Sequence, residues 1–240
     1  MKNIDLWFGG SYLLGSELAI YYNEYTLNLP NHRFVRPHRD RPELAFPHLV
    51  SQARNADYIN FGRGGAALGW QLYSLIQFCK NELSSDCCYT AFFSLPFAER
   101  TFLIDNNGDH HHIHIPEWDG HHTYLEFVTY DTTLVLNQIF LMCIQHNITP
   151  HFFPELRSFK INKEVNIVPK SAWLLSPDTC LVNESWDLKK DVYSWRSITE
   201  ILSKQSVFLK YIKPCGNHPN LYGHRVIADK ILEELEKRNL

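Results

Sequence analysis

The chain has 240 residues, of which 45% are hydrophobic and 20% charged. That length and balance suit a single domain with a well-filled core and exclude a disordered tail. A formal net charge of -3 gives no broad positive field, so nucleic acid is not an expected partner.

In chain order, "NIDLWF" is an apolar run ending in Gly9 and Gly10, which predicts a buried first strand, and "SELAIYYNEY" predicts a short helix opened by Ser16. "NLPNHRFVRPHRDRPELAFP" carries four prolines and several cations without a period, so a solvated surface loop is expected. "FPHLVSQARN" predicts a short helix and "ADYINF" a second strand. A helix over 66 to 82 should bury residues 68, 72, 75, 76 and 79, and "CCYTAFFSL" reads as the third strand.

From Arg100 to Leu125 the chain is polar and rich in histidine; this is read as an insertion at about 105–123, a loop or β-hairpin. "DTTLVLNQIFLMCIQHN" then predicts a long apolar helix, "ITPHFF" a strand, "SAWLL" a further short strand, "SWRSITEILSKQ" a helix and "NLYGHRVIADKILEELEKRNL" a last helix. Strands alternating with helices predict an α/β fold, a three-layer α/β/α sandwich with a mainly parallel, flavodoxin-like central sheet, formed by one domain over residues 1–240. Ligands in such sheets sit at the carboxyl ends of the strands.

No secretory leader is visible before the first strand and no run of about 18 apolar residues occurs, so the expectation is a cytoplasmic protein without a membrane span. Six cysteines at 79, 87, 88, 143, 180 and 215 lack a C-x-x-C spacing, which predicts reduced thiols packed in the fold. Trp173, Trp186 and Trp195 are assigned to core packing, with a sugar-stacking platform as the alternative. No cofactor is expected.

Three stretches carry chemistry. "FGGSYLLG" places Ser11 just after a strand and a glycine turn; either it caps a helix, or it is a nucleophile whose oxyanion faces backbone N–H groups. "NFGRGGA" is either a tight turn or a cradle that lets main-chain N–H groups approach a negative charge. In "NHPNLYGHR", His218 sits in a loop where it could serve as general base, whereas His224 lies inside the last helix and is assigned a packing or capping role.

In that order the stretches resemble the blocks of the SGNH/GDSL hydrolase superfamily, especially its divergent branch found among phage and bacterial sequences. "FGGSYLLGSEL" resembles the first block, with Gly10 at the aspartate position and Ser11 at the nucleophile. "NFGRGGA", which starts at Asn60, resembles the second, with Gly65 at the glycine whose N–H joins the Ser11 N–H in the oxyanion hole, and "CGNHPNLYGH" resembles the last, with His218 as base. The resemblance implies an esterase, with a small-molecule or glycan ester such as an O-acetylated carbohydrate as substrate.

Two departures stand out. Where the family supplies an asparagine after the third strand, this chain has "AFFSLPFAER"; Ser94 is the nearest hydroxyl, and Arg100 resembles the arginine of a T-S-P-x-R variant. Where the family has an acid before its histidine, this chain has Cys215 and Gly216, leaving Asn217, a carbonyl or a distant acid to orient His218. A Ser-His dyad and a decayed, binding-only protein are both compatible with these residues. The histidine-rich insertion adds a metal-based alternative through His110, His112, His114 and His121, although no H-E-x-x-H spacing is present.

Overall fold

A computed structural model of the protein describes residues 1–15, 41–96, 100–104, 110–114, 122–154, 159–178 and 221–239. Its center is a four-stranded, wholly parallel sheet built from β1 (Lys2–Phe8), β2 (Asp57–Asn60), β3 (Cys87–Leu95) and β6 (Ile148–Pro154), in the order β2-β1-β3-β6. Two further strands, β4 (Arg100–Ile104) and β5 (His110–His114), form a separate antiparallel pair.

Why the carboxyl halves of β1 and β3 are rich in large apolar residues is plain from the register. Phe8, Phe93 and Phe152 are aligned across three strands, with ring centroids 4.8 Å and 5.1 Å apart. One residue back, Trp7, Phe92 and His151 form the corresponding row on the other face, Trp7 stacking on Phe92 at 4.2 Å. Because successive side chains point to opposite faces, both faces must be covered. α2 (Leu68–Asn81) and α3 (His122–Gln145) cover the Phe8 face through Leu75, Phe78 and Ile139. α1 (Phe46–Ala53) and α4 (Leu221–Glu236) cover the Trp7 face through Phe46, Val50, Ile227 and Ile231. The result is the three-layer α/β/α arrangement expected from the alternating pattern.

Several local expectations shift. The buried face of α2 runs through Leu68, Gln71, Ser74, Leu75 and Phe78, while Ile76 is exposed. The polar member turns the helix: Gln71 Nε2 donates to the Ser94 carbonyl at 2.7 Å, so an amide, rather than Ile76, faces the sheet. α3 starts nine residues before Asp131. Thr132 and Thr133, at the start of the predicted stretch, donate back to the Val128 and Thr129 carbonyls at 2.8 and 2.7 Å and so sit inside the helix. "SAWLL" is a 3-10 turn over Lys170–Ala172 followed by a single parallel bridge from Trp173 to Phe152. Arg41 and Pro42, at the end of the stretch read as solvated, are buried; the Arg41 N–H donates to the Gly15 carbonyl at 3.1 Å.

Other expectations hold or lie elsewhere. Trp173 is in the core against Phe152 and Phe159. Cys79, Cys87, Cys88 and Cys143 are free thiols; burial pushes Cys79 up to about 11, and only Cys88 is exposed. Trp186, Trp195, Cys180, Cys215 and the two helices expected at "SELAIYYNEY" and "SWRSITEILSKQ" lie outside the described residues. Among the described residues, no helix is long and apolar enough to cross a membrane.

His151 gives the fold a pH dependence. It is almost fully buried, and desolvation, aided by the positive charges of Arg54 and Arg238, pushes its pKa down to about 4. The ring is therefore neutral in the fold, and its contribution is fully present above the unfolded value near 6.5. As pH falls from 6.5 to 4 the unfolded chain binds the proton first, so stability drops by about 3 kcal/mol. Asp5 opposes this, since burial raises its pKa despite the Arg54 guanidinium 3.3 Å away. Urea midpoints at pH 7 and 4.5 should thus differ more for wild type than for His151→Gln; equal differences would assign the acid sensitivity elsewhere.

Candidate functional site

The carboxyl ends of β1 and β2 turn back beside one another, and their glycines are there because the two turns touch. A Cβ on Gly9 would lie 2.2 Å from Leu13 Cδ1 and 2.7 Å from Ser94 Cβ. One on Gly62 would lie 2.9 Å from both Leu13 Cβ and Asn60 Oδ1. Real Cβ atoms do not approach so closely, so these two positions are closed to any side chain. Gly65 is a glycine for a different reason, its φ of 75°.

Hydrogen bonds bolt the turns together. The Phe61 N–H donates to the Trp7 carbonyl at 2.7 Å and the Arg63 N–H to the Gly9 carbonyl at 3.0 Å. Asn60, wholly buried, donates from Nδ2 to the Leu13 carbonyl at 2.7 Å and accepts the Gly62 N–H on Oδ1 at 2.8 Å. One amide side chain thereby sets the distance between the turn that follows β1 and the glycine loop that follows β2. Ser11 opens the 3-10 turn Ser11–Leu14 immediately after Gly10. The next turn, closed by the Ala66 N–H on the Arg63 carbonyl at 3.0 Å, contains Gly64 and Gly65. Among the described residues no acceptor takes the Gly65 N–H.

Of the residues singled out from sequence, Gly10, the Ser11 backbone, Asn60, Gly65 and Ser94 come together at this end of the sheet. Ser94 lies in β3 directly against Gly9; its hydroxyl is buried and has no hydrogen-bond partner among the described residues. Arg100 falls at the start of β4, and His110, His112 and His114 in β5. His218, Asn217 and His121 lie outside the described residues. His224 holds the structural position expected of it: fully buried in α4, it accepts the Phe46 N–H on Nδ1 at 3.3 Å and stacks on the Phe46 ring. That bond occupies the first turn of α1, where Ala45 offers no side-chain cap. It also ties α4 to α1 a few residues beyond the segment that carries His218.

Two residues escaped the sequence reading. Arg63 lays its guanidinium over the Trp70 ring at 4.5 Å, which keeps a cation beside the glycine turn. A lone charge among glycines was the available signal. Gln71, which holds the end of β3 through the Ser94 carbonyl, left only the trace of a polar residue on an otherwise apolar helix face.

No family model matches the chain, and no curated protein matches it. Among solved structures it is similar to a member of the lipolytic protein G-D-S-L family from Veillonella parvula, at 12% identity over 96% of this chain and 97% of that one, with a TM-score of 0.40. It is also similar to an acetyl xylan esterase from the rumen bacterium Butyrivibrio proteoclasticus, at 10% identity over 99% of this chain and 64% of that one, with a TM-score of 0.49. A third is a psychrotrophic esterase from Pseudoalteromonas sp., at 12% identity over 100% and 99% of the two chains, with a TM-score of 0.40. The parallel sheet covered on both faces is the α/β/α arrangement expected from the sequence, and the order of the sequence blocks resembles that of the SGNH/GDSL superfamily.

Proposed function

We propose that the protein is a serine ester hydrolase of the SGNH type, acting on a small-molecule or glycan ester, with Ser11 as nucleophile and His218 as general base. The observation that carries this reading is the bolted pair of turns: Asn60 and the Arg63–Gly9 bond hold the Ser11 turn against a glycine loop whose Gly65 N–H meets no acceptor among the described residues. Ser11 Oγ attacks the ester carbonyl carbon while His218 takes its proton. The N–H groups of Ser11 and Gly65 hold the oxyanion, and the proton passes to the departing alcohol. Water, deprotonated by the same imidazole, then releases the acyl group.

With Cys215 and Gly216 where the family has its acid, turnover is expected to be slow unless a distant acid orients His218. An orienting carboxylate is worth about four orders of magnitude in a full triad, and an oxyanion donor about a hundredfold. A second reading, a binding or structural protein on the same fold, is favoured by one observation: Ser94, the nearest substitute for the missing asparagine, has a hydroxyl buried out of reach of solvent. Hydrolysis of p-nitrophenyl acetate separates the two. Release of p-nitrophenol above the buffer rate supports the enzyme, and a rate equal to buffer across pH 6 to 9 supports the binding protein.

A further inference from the structure

α3 presents apolar residues to water as well as to the sheet. Leu136, Ile139 and Cys143 are wholly buried, whereas Tyr130, Leu134, Leu141 and Ile144 are 41%, 36%, 53% and 54% exposed. Steps of four, seven and three residues keep these four on one stripe of the outer surface, since 3.6 residues make a turn. Asn137, the helix position at the middle of the stripe, is covered from the side. Its Nδ2 donates to the Val165 carbonyl at 2.7 Å and its Oδ1 accepts the Ile167 N–H at 3.1 Å, while Thr133 Oγ1 accepts the Asn162 N–H at 3.0 Å. These bonds lay the 162–167 segment along α3 and bring Ile167, 49% exposed, to the level of Asn137. Exposed Asp131, Gln138 and Gln145 border the stripe one step round the helix. The five apolar side chains present on the order of 450 Å² to solvent, a size at which an exposed patch marks an interaction site.

We propose that this face of α3 is the two-fold interface of a homodimer, its occupant a second copy of the same chain. The stripe reads the same in both directions: Tyr130 and Ile144 each lie seven residues from Asn137, and Leu134 and Leu141 lie three and four residues from it. A two-fold axis through that point sets two α3 helices antiparallel, with Tyr130 of each copy against Ile144 of the other and Leu134 against Leu141. The two Ile167 side chains then meet near the axis. Helices joined along such alternating steps of three and four cross at about 20°, so contact holds over the whole span of about 21 Å from Tyr130 to Ile144. A stable interface buries about 800 Å² on each partner, of which the apolar stripe supplies more than half and the polar row beside it a rim. None of the five side chains is charged, so pairing strips water from no ion.

Sedimentation equilibrium of the full chain, with reductant present so that the exposed Cys88 cannot cross-link, tests the assignment. Wild type should sediment at twice the chain mass at about 10 μM. Leu134→Glu and Leu141→Lys should each weaken association at least about a hundredfold, because a charge enters a desolvated contact. Mixing the two variants should restore dimers, since the axis sets residue 134 of one copy against residue 141 of the other. Gln145→Glu, in the bordering row, should stay within about fivefold of wild type. Circular dichroism of each variant alone should match wild type; if one misfolds, Tyr130→Glu and Ile144→Lys, the outer pair of the same stripe, take their place. A wild type that stays monomeric to about 100 μM, or complementary variants that stay monomeric when mixed, would overturn the proposal.

Discussion

Ser11→Ala is expected to lower p-nitrophenyl acetate hydrolysis about a hundredfold or more, towards the buffer rate, with no change in unfolding free energy beyond about 0.5 kcal/mol. The two halves of that expectation have separate causes. Covalent catalysis needs the hydroxyl itself, and the remaining oxyanion donors can then assist only the much slower direct attack by water. Stability rests on the backbone of the turn, where Leu13 is buried and its carbonyl is held by Asn60; alanine leaves both in place. A variant that hydrolyses the ester at the wild-type rate would remove Ser11 from the mechanism.

Asn60→Ala is expected to cost about 3 kcal/mol, a large fraction of the 5–15 kcal/mol by which a domain is stable. It strands two buried backbone groups at once, the Leu13 carbonyl and the Gly62 N–H, and leaves a small void between the turns. Asn60→Asp separates the two bonds, since a carboxylate still accepts the Gly62 N–H but opposes the Leu13 carbonyl. Chemical denaturation should place both variants well below wild type, with any hydrolysis falling as the Ser11 turn loses its spacing from the glycine loop. A shift under 1 kcal/mol for the alanine variant would mean that the turns hold together without the clamp.

The layers were legible because consecutive apolar residues fill the carboxyl halves of β1, at Leu6–Phe8, and of β3, at Ala91–Phe93, which a sheet covered on both faces can absorb. Less legible were features set by single side chains acting at long range. Gln71 turns α2 about its axis through a bond to β3, 23 residues away, and no local period announces it. Thr132 and Thr133 carry the same chemistry at a helix start and within a helix, so the sequence around Asp131 points equally to both. The glycine stretch at 62–65 divides in the structure: Gly65 has the positive φ that a tight turn needs, while a Cβ on Gly62 would meet Asn60 and Leu13, a packing reason distinct from a cradle for negative charge. Asn60 opens the glycine block in the sequence, yet its reach back to Leu13 across 47 residues is a tertiary fact that spacing alone does not carry.

The most direct test of the account is reaction with a fluorophosphonate probe followed by mass mapping of the peptides. One adduct on the peptide containing Ser11, lost in His218→Ala, is the predicted result. An unlabelled chain, or an adduct that stays when Ser11 is replaced, would contradict a nucleophile at the end of β1.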